Sequence, residues 1–300
     1  MTKLRQAMLE AMLLRGFSER TKESYIQGVR GIAAYYHLSP DGLSDEQVRH
    51  YLVHLLDERK LTHSSCNLAL NAIRFLFREV LHRPRNEIHL PGPRQPQRLP
   101  EILSREEVGR ILEAATDLRH KTLLMTTYAA GLRVSELCHL RVQDIDSDRH
   151  GIRVEQGKGA KDRYTLLSPH LLKQLRLYWR AYQPEDWMFV HRNGVDPLPV
   201  ETVQKIFYRT RDQAGIRKRG GVHSLRHAFA THLLEAGADI HTIQKLMGHR
   251  SIHSTLRYFH LAQVKLLGTR SPLDLLEQVP QPHEEMEEQV PLSLGGDCPD

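Results

Sequence analysis

Apolar residues recur every three to four positions through the first 83 residues, as in Leu4, Met8 and Met12 and again in Tyr25, Val29 and Ile32. That is the spacing of helices that each bury one face. The helix starts are marked too. Ser18 precedes ERTKESYIQGVRGIAAYYH, Ser44 and Gln47 make a capping box ahead of VRHYLVHLLDE, and a fourth helix is predicted through NLALNAIRFLFREVL. Residues 1–83 therefore read as a small four-helix domain.

The pattern then breaks. Pro84, Pro91, Pro93, Pro96 and Pro100 fall within seventeen residues, with Arg85, Arg94 and Arg98 interleaved. Proline at this density continues neither a helix nor a central strand, so residues 84–103 read as an extended basic linker. Such a strap either spaces two domains or lies along a phosphate backbone.

A second domain, 104–270, opens on a capping box of Ser104 and Glu107 before EEVGRILEAA. Helices are predicted through HKTLLMTTYAA, closed by Gly131, and through VSELCHL. The period changes at GIRVEQGKGAKDRYTLLS, where Ile152 and Val154 alternate with polar residues around a basic glycine-containing tip, the pattern of a β-hairpin. Ser168–Pro169 starts a further helix, LLKQLRLYWRAY, and others are expected near 200–214, 224–236, 239–247 and 252–267. The fold class is mostly α with a small antiparallel β-sheet. From 271 to 300 the chain reads as an acidic tail.

Charge sharpens this picture. The net charge of +6 conceals a tail with eight acids and no Lys or Arg, so residues 1–270 carry +14. A body so basic is suited to a polyanion. Three widely spaced cysteines, Cys66, Cys138 and Cys298, contain no CxxC pair, which argues against a disulfide framework and fits a reducing cytoplasm. No stretch approaches the roughly 18 apolar residues of a membrane span, and the N-terminus lacks the apolar core of a secretory signal.

Four segments of the second domain hold groups that helix patterning does not require: AGLRVSEL, QGKGAKDR, HSLRH, and MGH followed nine residues later by Tyr258 in STLRYFHL. Together and in this order they resemble the tyrosine recombinase family, the phage integrases and Xer-type enzymes. The resemblance covers nearly the whole chain and is most specific over residues 223–258, HSLRHAFATHLLEAGADIHTIQKLMGHRSIHSTLRY. Many members have proline before the first histidine of this motif, where this chain has Val222.

The resemblance implies an N-terminal SAM-like four-helix core-binding domain followed by a recombinase catalytic domain. It also implies a site made of Arg133, Lys158, His223, Arg226, His249 and the nucleophile Tyr258. The chemistry of these side chains is consistent with those roles. Two guanidiniums, Arg133 and Arg226, would neutralise the non-bridging oxygens of a pentacoordinate phosphorus. A tyrosine hydroxyl needs help to lose its proton, and His223 is the expected acceptor or hydrogen-bond partner near the phosphate. Lys158, on the hairpin tip, would protonate the leaving 5′-oxygen, with Lys161 as alternate. His249 would donate a hydrogen bond to the phosphate, and Glu136 would buttress the arginine side. Arg85, Arg94, Arg98, Lys161 and Arg163 are the expected DNA contacts.

A phosphotyrosyl bond conserves the energy of the broken phosphodiester, so no ATP, metal or other cofactor is expected. A zinc site at His223, His227 and His232 is disfavoured, because HExxH is absent and His227 and His232 share a helix with the Leu225, Phe229, Leu233 packing stripe. A type IB topoisomerase would share the tyrosine chemistry but not the N-terminal domain, and a non-catalytic DNA-binding regulator would have no use for a nucleophile. The stretch from Phe189 to His223 is short for an integron integrase, which favours a Xer-like or mobile-element recombinase. By resemblance the partners are duplex recombination sites clamped between the two domains, with a homotetramer on two sites and no membrane. A helix after the nucleophile, holding Val264, Leu266, Leu267, Leu273, Leu275 and Leu276, is expected to dock on the neighbouring subunit.

Overall fold

A computed structural model of the chain describes residues 2–83, 101–155 and 162–259. Among the described residues the chain divides into two compact units, one of residues 2–83 and one of residues 101–155 and 162–259.

The first unit contains α1 (Lys3–Leu14), α2 (Glu19–Tyr36), α3 (Asp45–Asp57) and α4 (His63–Phe75), with a turn of π-helix from Leu76 to Val80 extending α4. The capping signals act as read. Ser18 accepts from the Thr21 amide, and Ser44 and Gln47 satisfy each other's backbone N–H groups. The apolar spacing closes into one core that includes Met8, Met12, Ile32, Val48, Leu70 and Ile73. At the α2–α4 crossing, a Cβ on Gly28 would stand 3.1 Å from the Ala72 methyl, so glycine allows the helices their close approach.

The second unit is built from α5 (Arg105–Ala114), α6 (Leu118–Ala129), α7 (Val134–Cys138), strands β1 (Ile145–Asp146), β2 (Gly151–Val154) and β3 (Arg163–Leu166), then α8 (Pro169–Tyr182), α9 (Val200–Gln213), α10 (His223–Glu235), α11 (Ile240–Met247) and α12 (Ile252–Phe259). Among the described residues this is the expected mostly helical architecture with a small antiparallel sheet, in the order β1-β2-β3. The two-residue β1 was not predicted, being too short to show alternation. Ile152 pairs with Thr165 and Val154 with Arg163, so all four share the face that packs on the helices. The core runs through Val108, Ile111, Leu123, Leu124, Leu137, Ile152, Leu171, Phe207 and Leu225.

A smaller cluster of Phe229, Ala230, Ile243, Met247 and Tyr258 joins α10, α11 and α12. Gly131, just past α6, has φ +60°, and a Cβ there would sit 2.3 Å from the Phe229 ring. Only glycine meets both conditions, and its carbonyl is thereby fixed beside α10.

Candidate active site

The site begins at Glu136. It lies one turn into α7, where its Oε2 accepts the Arg133 amide at 2.8 Å and its Oε1 accepts Arg133 Nη1 at 2.6 Å. From β3, Arg163 donates to both carboxylate oxygens, at 2.9 and 2.7 Å. From α10, Arg226 Nη1 stands 3.6 Å from Oε2. Burial alone would raise the Glu136 pKa, but the hydrogen bonds and charge of Arg163, the Arg133 amide and the charge of Arg226 outweigh it and hold the carboxyl at about 2.

The other anchor is the end of α11, whose last carbonyls have no partner within the helix. Arg163 Nε donates to Leu246 O at 2.8 Å, Arg226 Nη2 to Met247 O, and Arg133 Nη2 to Gly248 O at 3.1 Å. Three successive carbonyls at the negative end of the helix dipole thus hold three guanidiniums. Gly248, at φ +62°, closes the helix in the left-handed conformation that turns its carbonyl to this task. Arg226 also donates to Gly131 O. Its 4% exposure and the charge of Arg133 lower its pKa to about 10, with Glu136 opposing, so it stays charged at neutral pH. One carboxylate among three guanidiniums leaves the pocket strongly positive, the field a phosphate requires.

The expected residues converge here in part. Arg133 keeps about a third of its side chain exposed and can meet a ligand, whereas Arg226 is enclosed. His223 opens α10 and is exposed, yet its pKa is lowered, first by desolvation and then by the charges of Arg226 and Arg133. His249 Nε2 lies 3.3 Å from Arg226 Nη2 and its Nδ1 lies 3.0 Å from Thr255 Oγ1. Because arginine only donates, Nε2 is the acceptor and Nδ1 carries the proton toward Thr255. Tyr258 is 5% exposed, and its ring is parallel to that of His249, 8° apart in plane with centroids 6.1 Å apart.

One expectation is corrected and one partner is new. Arg163, read as a DNA contact, is buried with its guanidinium committed to Glu136 and Leu246; it organises the pocket instead of facing DNA. His227, noted only for sharing a helix with the Leu225, Phe229, Leu233 packing stripe, has its Nδ1 2.9 Å from Tyr258 Oη. Its place four residues after His223 was the available signal, since that spacing returns to the same helix face. Lys158 and Lys161, Arg85, Arg94 and Arg98, and the leucine-rich segment after the nucleophile lie outside the described residues. Cys138 is no rival nucleophile, as burial pushes its thiol up to about 12.

Residues 101–264 match the phage integrase family, and residues 4–87 match the phage integrase N-terminal SAM-like domain. A putative integrase/recombinase, y4qK, of Sinorhizobium fredii (strain NBRC 101917 / NGR234) is 46% identical over 92% of this chain and 90% of its own. The tyrosine recombinase XerA of Thermococcus kodakarensis is 35% identical over 89% of this chain and 93% of its own. Among solved structures, a lambda integrase(75–356) dimer bound to a COC′ core site superposes with a TM-score of 0.68 at 21% identity, covering 84% of this chain and 94% of that one.

Proposed function

This chain belongs to the phage integrase family, and from that premise we propose how its own residues cut and rejoin DNA as a tyrosine recombinase. Arg133 binds the scissile phosphate with the enclosed Arg226 supplying the second positive charge beside it, Tyr258 attacks the phosphorus to form a 3′-phosphotyrosyl link, and Lys158 protonates the departing 5′-oxygen. The observation that supports this reading is the pocket around Glu136: guanidiniums held from two sides, with the buried Tyr258 stacked on the histidine that Arg226 contacts.

The pocket acts through preorganisation. Glu136 and the α11 carbonyls fix the arginines before substrate arrives, so little reorganisation is left for the chemical step. His223 adds a hydrogen bond on the phosphate side. His249 does the same once its Nε2 has left Arg226 and taken up a proton, since a bare Nε2 only accepts. Because the tyrosyl link keeps the energy of the phosphodiester, the 5′-hydroxyl of another strand can reverse the step without a nucleotide cofactor. Arg85, Arg94, Arg98 and Lys161 supply phosphate contacts. The working assembly is a homotetramer on two duplex sites in the cytoplasm, and among the described residues no helix is long and apolar enough to cross a membrane.

A nicked half-site, whose short leaving strand diffuses away after cleavage, tests the reading. Wild-type chain should accumulate a covalent protein–DNA adduct, and Tyr258→Phe should bind the half-site equally well and form none. An adduct persisting in Tyr258→Phe would remove Tyr258 from its role.

A further inference from the structure

We propose that His227 is the proton acceptor for Tyr258 and that the pair works as one nucleophilic unit. The inference rests on the reading of Tyr258 as nucleophile and extends it. A tyrosine with a pKa near ~10 is about 0.1% ionised at neutral pH, so its attack on phosphorus needs a base within hydrogen-bond reach. His227 Nδ1 is at that distance, 2.9 Å from Oη, with the two ring centroids 5.6 Å apart. Imidazole, with a pKa near ~6.5, is also the side chain whose basicity suits transfer at neutral pH.

The neighbouring groups serve other ends. His249 lies parallel to the Tyr258 ring and directs its nitrogens at Arg226 and Thr255. The Glu136 carboxylate is saturated by arginines and is a very weak base. His223 stands beside Arg226 and Arg133, the cations assigned to the phosphate. The acceptor role expected of His223 therefore passes to His227, and His223 keeps the phosphate contact. Tyr258 interacts electrostatically with Arg226, so the phenolate forms close to a guanidinium assigned to the phosphate.

The step balances. The Oη–H proton passes to Nδ1 of neutral His227 as the Oη–P bond forms, and the P–O5′ bond breaks with its electron pair on O5′, which takes a proton from Lys158. In rejoining, an incoming 5′-hydroxyl gives its proton to Lys158 and attacks phosphorus. The Tyr258 oxygen then leaves and recovers its proton from His227, restoring the starting state.

His227→Asn separates basicity from positioning, because the amide oxygen still accepts a hydrogen bond but does not take the proton away. Single-turnover cleavage of the nicked half-site should slow about 100-fold in this variant, with half-site affinity unchanged. Installing 2,3-difluorotyrosine at position 258, whose hydroxyl is far more acidic, should recover most of that loss while altering the wild-type rate little. His227→Gln, run in parallel, provides the same comparison if the Asn variant fails to fold. Wild-type cleavage by a folded His227 variant, or a defect that the fluorinated tyrosine leaves unchanged, overturns the proposal. Failure of the underlying reading is seen separately, as an adduct in Tyr258→Phe.

Discussion

Arg163 meets Glu136 through both arms of its guanidinium, Nη1 to Oε1 at 2.9 Å and Nη2 to Oε2 at 2.7 Å, with the two side chains only 7% and 9% exposed. A buried, bidentate pair of this kind fixes geometry as well as charge. Removing one partner leaves the other charge without compensation. Arg163→Ala should therefore lower the unfolding free energy by about 3 kcal/mol, measured by urea denaturation. It should also slow cleavage more than it weakens DNA binding. Arg163→Lys, which supplies no planar fork, should fall between the two. Wild-type stability in Arg163→Ala would contradict this account of the pocket.

Glu136 makes the same pocket sensitive to acid. Its folded pKa of about 2 lies below the ordinary 4.5 of a glutamate, so the unfolded chain binds its proton first. The resulting stability is fully present above about pH 4.5 and fades as pH falls toward 2. Urea titrations of wild type and Glu136→Gln across this range should show a gap that is constant near neutrality and narrows through the acid window. A gap of constant size down to pH 2 would place the carboxylate's stabilising contacts elsewhere.

Gly131 joins a backbone requirement to catalysis. Its φ of +60° disfavours any other residue, its missing Cβ makes room for Phe229, and its carbonyl receives Arg226. Gly131→Ala should cost more than about 1 kcal/mol, the strain of the left-handed conformation alone, because the Phe229 ring must also move. Thermal unfolding and the adduct assay should fall together; an unchanged melting temperature would contradict the steric argument.

Thr255 is 1% exposed and tethers His249 Nδ1 at 3.0 Å. Thr255→Val keeps the shape and removes the acceptor, and should slow cleavage about tenfold, the rate equivalent of one hydrogen bond. Thr255→Ser should restore it. Equal rates for the Val and Ser variants would show that the tether does not orient His249.

The parts of this fold that depend on near neighbours were legible in the sequence. The capping boxes at Ser44 and Ser104 and the left-handed residue at Gly131 each involve groups within four positions of one another. The order of Arg133, His223, Arg226, His249 and Tyr258 was legible through family resemblance. Arg163 was misread because a basic residue beside a basic hairpin tip looks like surface. Its burial follows from strand register, which pairs it with inward-facing Val154 across a loop whose length hides the alignment. His227 was passed over because it shares α10 with the Leu225, Phe229, Leu233 stripe, and nothing within that helix reveals that a tyrosine from α12 reaches its ring.

The central claim is that Tyr258, set against the guanidinium pocket, is the atom source of the bond to DNA. The most direct measurement is to trap the adduct on a nicked half-site, digest it with nuclease and protease, and locate the residual nucleotide by tandem mass spectrometry. The account predicts a nucleotide joined through its 3′-phosphate to the peptide containing Tyr258. A nucleotide on any other residue, or one joined through a 5′-phosphate, would contradict it.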